Sequence, residues 1–167
     1  MSATCQICGS AKSTPVITED GMAIVACGEC SFVFMETMPS EEVRAAIYDD
    51  AYDGASAGYF AKVDSKMRRS RRRARAISRM TANNSGSRAR FLDVGSNGGF
   101  MTEAAREQGF DCVGVEIDPA SVAYAREHYS ASEFFLGSIE AYVDEANGAT
   151  FDAVYCSEVI EHVPDLN

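Results

Sequence analysis

Phe91-Leu92-Asp93-Val94-Gly95-Ser96-Asn97-Gly98-Gly99-Phe100 is the stretch that decides the fold. Residues suited to a buried strand run into a glycine-rich turn, and a segment of helical character follows. Twenty-one residues after Gly95 stands Glu116, within Val113-Gly114-Val115-Glu116-Ile117-Asp118. A tight turn after one strand, with a carboxylate ending the next, is how an α/β sheet holds a nucleoside. The ligand is thereby narrowed to molecules that carry a ribose.

The dinucleotide fingerprint G-x-G-x-x-G fails here, because Asn97 stands at its second glycine and Phe100 at its third. The remaining pattern, D-x-G-x-x-G-G-F, resembles motif I of class I S-adenosylmethionine (SAM) methyltransferases, whose usual form is D/E-x-G-x-G-x-G. Asn97 replaces a glycine of that motif, and Asn is among the few non-Gly residues that tolerate a positive φ. The G-S-N-x-G variant is also similar to the loop of some zinc-containing sugar C-methyltransferases. Further along, Phe151-Asp152-Ala153-Val154-Tyr155-Cys156-Ser157-Glu158-Val159-Ile160-Glu161-His162-Val163 resembles motif IV of the branch containing ubiquinone-biosynthesis O-methyltransferases. The resemblance covers residues 88–167.

The resemblance implies a site. Asp93, Gly95, Ser96, Asn97, Gly98 and Gly99 would form the cofactor turn. Glu116 would accept hydrogen bonds from both ribose hydroxyls, and Ile117 would lie against adenine. Ser138 and Ile139, in Phe134-Phe135-Leu136-Gly137-Ser138-Ile139-Glu140, would sit beside the adenine edge; Ser138 stands where the family often has Asp. Backbone near Cys156 would border the cofactor. Glu158, Glu161 and His162 fall at i, i+3 and i+4, so a helix beginning at Ser157 would put them on one face. The matching residues of the ubiquinone branch resemble a divalent-metal site; a capped helix start without metal is preferred here. His162 and Glu158 are the weak catalytic candidates.

The N-terminus carries a different signal. Cys5-x2-Cys8 and Cys27-x2-Cys30 are separated by eighteen residues, which matches a zinc-ligand pattern. Two such turns complete an S4 shell, and four cysteines with no open position make the metal structural. Between them, Pro15–Thr18 and Met22–Ala26 read as a hairpin around Glu19-Asp20-Gly21. This is a zinc ribbon, with Zn2+ supplying most of its folding energy. Cys112 and Cys156 read as buried free thiols in strands.

The chain is thus expected to hold a zinc ribbon over 1–36, a connector with a basic helix over 37–87, and a Rossmann-like α/β domain over 88–167. Ser40 would cap a short helix in the connector, and Tyr48, Tyr52, Tyr59 and Phe60 follow it. Tyr59 is a candidate to close over cofactor or substrate, although packing against the ribbon is preferred. The α/β part alternates as strand 90–94, helix 101–108, strand 112–116, helix 119–128, strand 133–136, a short helix and strand 151–156. Right-handed crossovers give a parallel sheet of order 3-2-1-4. That is four of the family's seven strands, so a fragment of a longer protein is expected, with strand four as an unpaired edge open to oligomer contacts.

Composition sets the outer limits. The 167 residues carry a net charge of −10, which argues against general nucleic-acid binding. Nine of the fifteen cations nevertheless lie between Lys62 and Arg79. Solvated arginines on an amphipathic helix, with Val63, Met67, Ala74 and Ile77 inward, are the preferred account; an RNA-binding face is the second. No apolar run nears the roughly 20 residues of a membrane helix, and no signal-peptide pattern opens the chain. A cytoplasmic, reducing setting is expected. The functional expectation is a SAM-dependent methyltransferase acting on a small molecule, such as a nucleotide sugar or glycan precursor. The alternatives are an RNA methyltransferase and a non-catalytic SAM-binding module.

Overall fold

A computed structural model describes residues 4–19, 21–40, 42–43, 62–81, 88–160 and 163. Two compact units share them, one with the cysteine-rich N-terminus and one running from Lys62 to Val159.

In the first unit, β1 (Ser13–Glu19), β2 (Met22–Cys27) and β3 (Val33–Met35) form an antiparallel sheet in that order. The hairpin is registered from Ser13↔Cys27 to Glu19↔Met22. It slips once between Pro15 and Ile17, where proline has no N–H to give the ladder. β3 is an addition to the expected hairpin, paired from Ile24↔Met35 to Ala26↔Val33. Each cysteine turn closes on its own backbone. Gly9 N–H donates to the Cys5 carbonyl at 2.8 Å, and Ser31 N–H donates to the Cys27 carbonyl at 3.1 Å. Ser40 caps as expected, its hydroxyl accepting the Val43 N–H at 3.4 Å.

The second unit is built on a parallel sheet of β4 (Arg90–Val94), β5 (Asp111–Glu116), β6 (Glu133–Leu136) and β7 (Ala153–Cys156). Its order is β6-β5-β4-β7, the 3-2-1-4 order expected. Among the described residues four helices accompany it: α1 (Val63–Met80), α2 (Phe100–Arg106), α3 (Pro119–His128) and α4 (Ile139–Glu145). The period-2 alternation of β4 sorts the core. Phe91 faces a cluster with Ala74 of α1, Met101, Ala104 and Ala105 of α2, Phe110 and Cys112. Leu92 faces the opposite side with Val113, Val115 and Tyr142 of α4. Val122, Ala125 and Phe134 form a third cluster beneath α3. Complete burial of a side chain such as Phe91 contributes about 1.5–3 kcal/mol.

The helix ends follow local chemistry. Pro119 sits in the first turn of α3, and the Asp118 carboxylate caps it by accepting the N–H groups of Ala120 and Ser121. Ser138 caps α4 by accepting the Ala141 N–H at 3.3 Å. α1 buries Met67, Ser70 and Ala74 and exposes its arginines, so the amphipathic account of the basic stripe holds.

Two expectations need correction. Cys112 is buried, and that burial pushes its thiol up to about 12. Cys156 is exposed, because alternation along β7 turns Ala153 and Tyr155 inward and sends Val154 and Cys156 the other way. Second, no helix begins at Ser157. Ser157, Glu158 and Val159 are not helical, and Glu158 has φ 61°, in the left-handed region.

Candidate functional site: the glycine turn and the cleft beside it

The turn after β4 is fixed by its backbone. The N–H groups of Gly95 and Ser96 both donate to the Val115 carbonyl, at 2.9 and 3.0 Å, tying the turn to β5. Asn97 has φ 45°, so the residue that replaces a motif glycine takes up the left-handed conformation that glycine would supply. Its side-chain oxygen accepts the Gly98 N–H at 2.7 Å, and its own N–H donates to Glu116 Oε2 at 2.7 Å. Gly99, with φ 77°, leads into α2. A Cβ there would meet the Phe134 ring at 2.8 Å and the Ala125 methyl at 3.0 Å. Gly114 underlies the same turn, where a Cβ would meet Phe134 and the Ser96 hydroxyl, both at 2.8 Å.

Glu116 is 6% exposed, and its carboxylate already accepts three backbone N–H groups: Asn97, Ile117 at 2.8 Å and Asp118 at 3.0 Å. A carboxylate offers about four lone-pair positions, so this one has capacity for at least one further hydroxyl. Ile117 is 57% exposed beside it. The turn after β6 is joined to this end of the sheet by Gly137 N–H donating to the Glu116 carbonyl at 2.9 Å. Ser138 is exposed there, and Ile139 packs under the sheet with the Leu92 cluster. The structure thus gathers the turn, Glu116, Ile117 and the Ser138 turn at the carboxyl ends of β4, β5 and β6.

Asp93 is 2% exposed and accepts the Thr102 hydroxyl at 2.7 Å. Burial pushes its carboxyl up to about 7, against the opposing pull of the Thr102 hydrogen bond. The Ser96 hydroxyl is buried with no hydrogen-bond partner among the described residues. An orphaned hydroxyl, a left-handed turn and a buried carboxylate fit a ligand with ribose and further polar groups.

A cleft of about 360 Å3 opens on this turn. Asp93, Gly95, Ser96, Asn97, Phe100 and Met101 line one side, Tyr155, Ser157 and Glu158 another, and Lys66, Arg69, Ser70 and Arg73 of α1 the third. The α1 residues and Tyr155 were not among the expected site residues. Their signal was present in the basic stripe, but which arginines face the turn depends on how α1 packs. Burial first, and the Arg69 charge second, pull the Lys66 ammonium down to about 8. Its Nζ lies 5.5 Å from the centre of the Phe100 ring. Glu161, His162 and the tyrosines at 48, 52 and 59 lie outside the described residues, as does Phe60.

The four N-terminal cysteines form a separate cluster. All their Sγ atoms lie within 4.8 Å of one another, with Cys5–Cys30 at 3.6 Å and Cys8–Cys27 at 3.5 Å. A tetrahedral zinc with Zn–S near 2.3 Å sets sulfurs about 3.8 Å apart, so the donor set fits such an ion. The Cys30 and Glu29 backbone N–H groups pull the Cys27 thiol down to about 6, whereas Cys8, although a Ser10 backbone hydrogen bond lowers it, is pushed up to about 12 by its cysteine neighbours.

Comparison with known proteins bears on the second unit. The profile of a family described as a methyltransferase domain matches residues 92–167. The ubiquinone biosynthesis O-methyltransferase of Aliivibrio fischeri (strain MJ11) is 39% identical over 80 residues, 46% of this chain and 34% of the relative. Its counterpart in Xanthomonas campestris pv. campestris (strain B100) is 40% identical over 81 residues, again 46% and 34%. The match therefore spans about a third of the length of these curated relatives. Two solved structures share the fold. The magnesium protoporphyrin IX methyltransferase of Synechocystis PCC 6803, with bound SAM, has a TM-score of 0.50 at 15% identity, covering 77% of this chain and 67% of that one. The plantazolicin methyltransferase BpumL, in complex with a monoazolic desmethylPZN analogue and SAH, has 0.51 at 14%, covering 67% and 44%. Sequence match, sheet order and turn agree, and residues 92–167 are similar to methyltransferase domains.

Proposed function

We propose that the protein carrying these residues transfers the methyl group of SAM to a small-molecule acceptor, with a nucleotide sugar or glycan precursor as the acceptor class. The observation that carries the cofactor half is the hydrogen bond joining Glu116 to Asn97. It sets an acceptor carboxylate against a left-handed turn at the carboxyl ends of adjacent parallel strands, where such sheets bind nucleosides. Asp93, Gly95, Ser96, Asn97, Gly98 and Gly99 would shape the cofactor turn. Glu116 would hold the ribose, Ile117, Ser138 and Ile139 would flank the adenine, and Cys156 would border the cofactor through its backbone. SAM supplies an activated methyl on its sulfonium, so the protein's chief task is alignment. An oxygen or carbon acceptor also needs a proton removed. Glu158 lines the cleft and His162 follows it in sequence, and these are the candidate bases. Relatives named for ubiquinone biosynthesis support a small acceptor.

The same proposal reads the chain as a ribbon over 1–36, a connector over 37–87 and the methyltransferase domain from 88 onward. It assigns Cys5, Cys8, Cys27 and Cys30 to a structural zinc, and the cysteine geometry supports this. Isothermal titration of the zinc-loaded chain with S-adenosylhomocysteine tests the cofactor half. Saturable one-to-one binding that is lost on Glu116→Gln is the expected result; no binding by a folded chain removes the reading.

A further inference from the structure

The outer side of α1 carries a row of arginines. Arg68, Arg72, Arg75 and Arg79 fall at i, i+4, i+7 and i+11, within about 60° of one another around the helix axis. All four are exposed, on the side away from the buried Met67, Ser70 and Ala74. None of them makes a hydrogen bond or an ion pair with another described residue. At 1.5 Å of rise per residue the row is about 16 Å long. Like charges at helical spacing repel one another and weaken a helix. The core gains nothing from them, because its contacts with α1 run through Ala74 and Ile77.

The neighbouring Arg71 shows which anion this helix already holds. Its guanidinium forks onto the Glu107 carboxylate, just past the end of α2, with two bonds of 2.7 Å. That is the planar, two-bonded geometry that guanidinium and carboxylate both favour. The outer row offers the same chemistry four times over, with no acid bonded to it.

Lipid, nucleic acid and acidic protein all carry negative charge, and the row suits them differently. No large apolar side chain shares its arc, so nothing there enters a bilayer. Single-stranded RNA is held by cations together with aromatic side chains on which bases stack, and the row has no aromatic. Glu107 lies close enough for the charges of Arg71 and Arg75 to act on it, and the chain's net charge is −10. A long phosphate backbone leaving the row therefore runs onto an acidic surface. An acidic helix of three turns has neither difficulty. Carboxylates at i, i+4, i+7 and i+11 match the row in length and spacing.

We infer that Arg68, Arg72, Arg75 and Arg79 form a docking surface for an acidic helix of a partner protein, its carboxylates set along one face at the same spacing. Such docking is independent of what the glycine turn binds.

Fluorescence anisotropy of the full chain with two labelled helical peptides tests this. One peptide carries four Glu at i, i+4, i+7 and i+11; the other has the same composition with its Glu spread around the helix. The matched peptide is expected to bind about tenfold more tightly. Arg72→Gln should take back about two- to fivefold of that preference, the worth of one exposed ion pair. Arg88→Gln removes an equal exposed charge away from α1 and should leave the preference intact. Arg and Gln have similar helix propensities, so α1 stays folded in the Arg72 variant, which circular dichroism checks. Equal binding of the two peptides, no binding of either, or equal losses in the two variants would overturn the inference. So would a uridylate oligonucleotide or phosphatidylserine vesicles that bind more tightly than the matched peptide and lose binding in Arg72→Gln; the row would then belong to nucleic acid or membrane.

Discussion

Glu116 Oε2 lies 2.7 Å from the backbone nitrogen of Asn97, so the carboxylate expected to face a ribose also holds the left-handed residue of the turn. Shape and recognition therefore depend on one side chain. Glu116→Ala leaves three backbone N–H groups without their acceptor, at a cost of about 1–3 kcal/mol for each one that stays buried. That variant is expected to lose both stability and adenosyl binding. Glu116→Gln retains one acceptor oxygen for Ile117 and Asp118 but turns an amide toward Asn97. It should unfold at a urea concentration between wild type and Ala, yet bind S-adenosylhomocysteine as poorly as Ala. Full binding by Glu116→Gln would show that the carboxylate is only a brace.

Asp93 predicts a pH dependence of stability. Its folded value, raised by burial to about 7, lies above the ordinary carboxyl value of 3.8. Between those values the folded state holds a proton that the unfolded state has released. Stability therefore falls as pH rises from about 4 to 7, by a few kcal/mol at most, and levels off above. Asp93→Asn should flatten this segment of the curve while preserving an acceptor for Thr102. Urea midpoints at several pH values, followed by far-ultraviolet circular dichroism because the chain has no Trp, would show it. A slope unchanged in Asp93→Asn would place the titrating group elsewhere.

Gly99→Ala combines two penalties. The backbone is at φ 77°, and the new methyl would fall 2.8 Å from the Phe134 ring. The expected loss is about 1–3 kcal/mol from overpacking, with a further part from the left-handed backbone. Gly109→Ala shares the positive φ but meets nothing within 4 Å, so it should lose only the backbone part. Equal losses for the two would mean that the ring yields without cost.

The ribbon should depend on metal. About one zinc ion per chain is expected, and a chelator should collapse the strand signal of β1 to β3 while leaving the helices of the second unit folded. Cys5→Ser should act like the chelator, because Cys5 is 1% exposed within the cluster. A metal-free chain with the same spectrum and the same resistance to protease at 13–35 would rule out a structural zinc.

The surface fork between Arg71 and Glu107 makes a contrasting case. Its bonds are short, yet the side chains are 44% and 28% exposed. A double-mutant cycle with Arg71→Ala and Glu107→Ala should return about 0.2–1 kcal/mol, falling with added salt.

Much of this was readable in the residues. The parallel order followed from strand and helix alternation with right-handed crossovers, and the strain at Asn97 followed from the one motif glycine it replaces. The cysteine spacing brought four thiols together without any tertiary information. Sequence reading stopped where position depends on packing. Val33–Met35 is too short to show alternation, so the third ribbon strand gave no signal. The exposure of Cys156 follows from alternation along β7, which turns Ala153 and Tyr155 to the core, and not from its hydrophobicity. Glu158 carries a left-handed backbone that its residue type gives no reason to expect, and the helical spacing of Glu158, Glu161 and His162 concealed it. Arg69 and Arg73 were visible as charge, and only the rotation of α1 against the sheet distinguishes them from Arg72.

The Phe134 ring carries a consequence for how this site can change. Its Cζ is 2.8 Å from where a Cβ would stand at Gly99, and its Cδ1 is 2.8 Å from where one would stand at Gly114. One aromatic side chain on β6 thus spaces two glycines fifteen positions apart in sequence. Substitutions at 99 and 114 are therefore not independent of position 134 or of each other. A smaller residue at 134 opens both places together, so that a change damaging in one background becomes tolerable in another. The turn's freedom to vary is controlled from a residue that never touches its backbone chemistry.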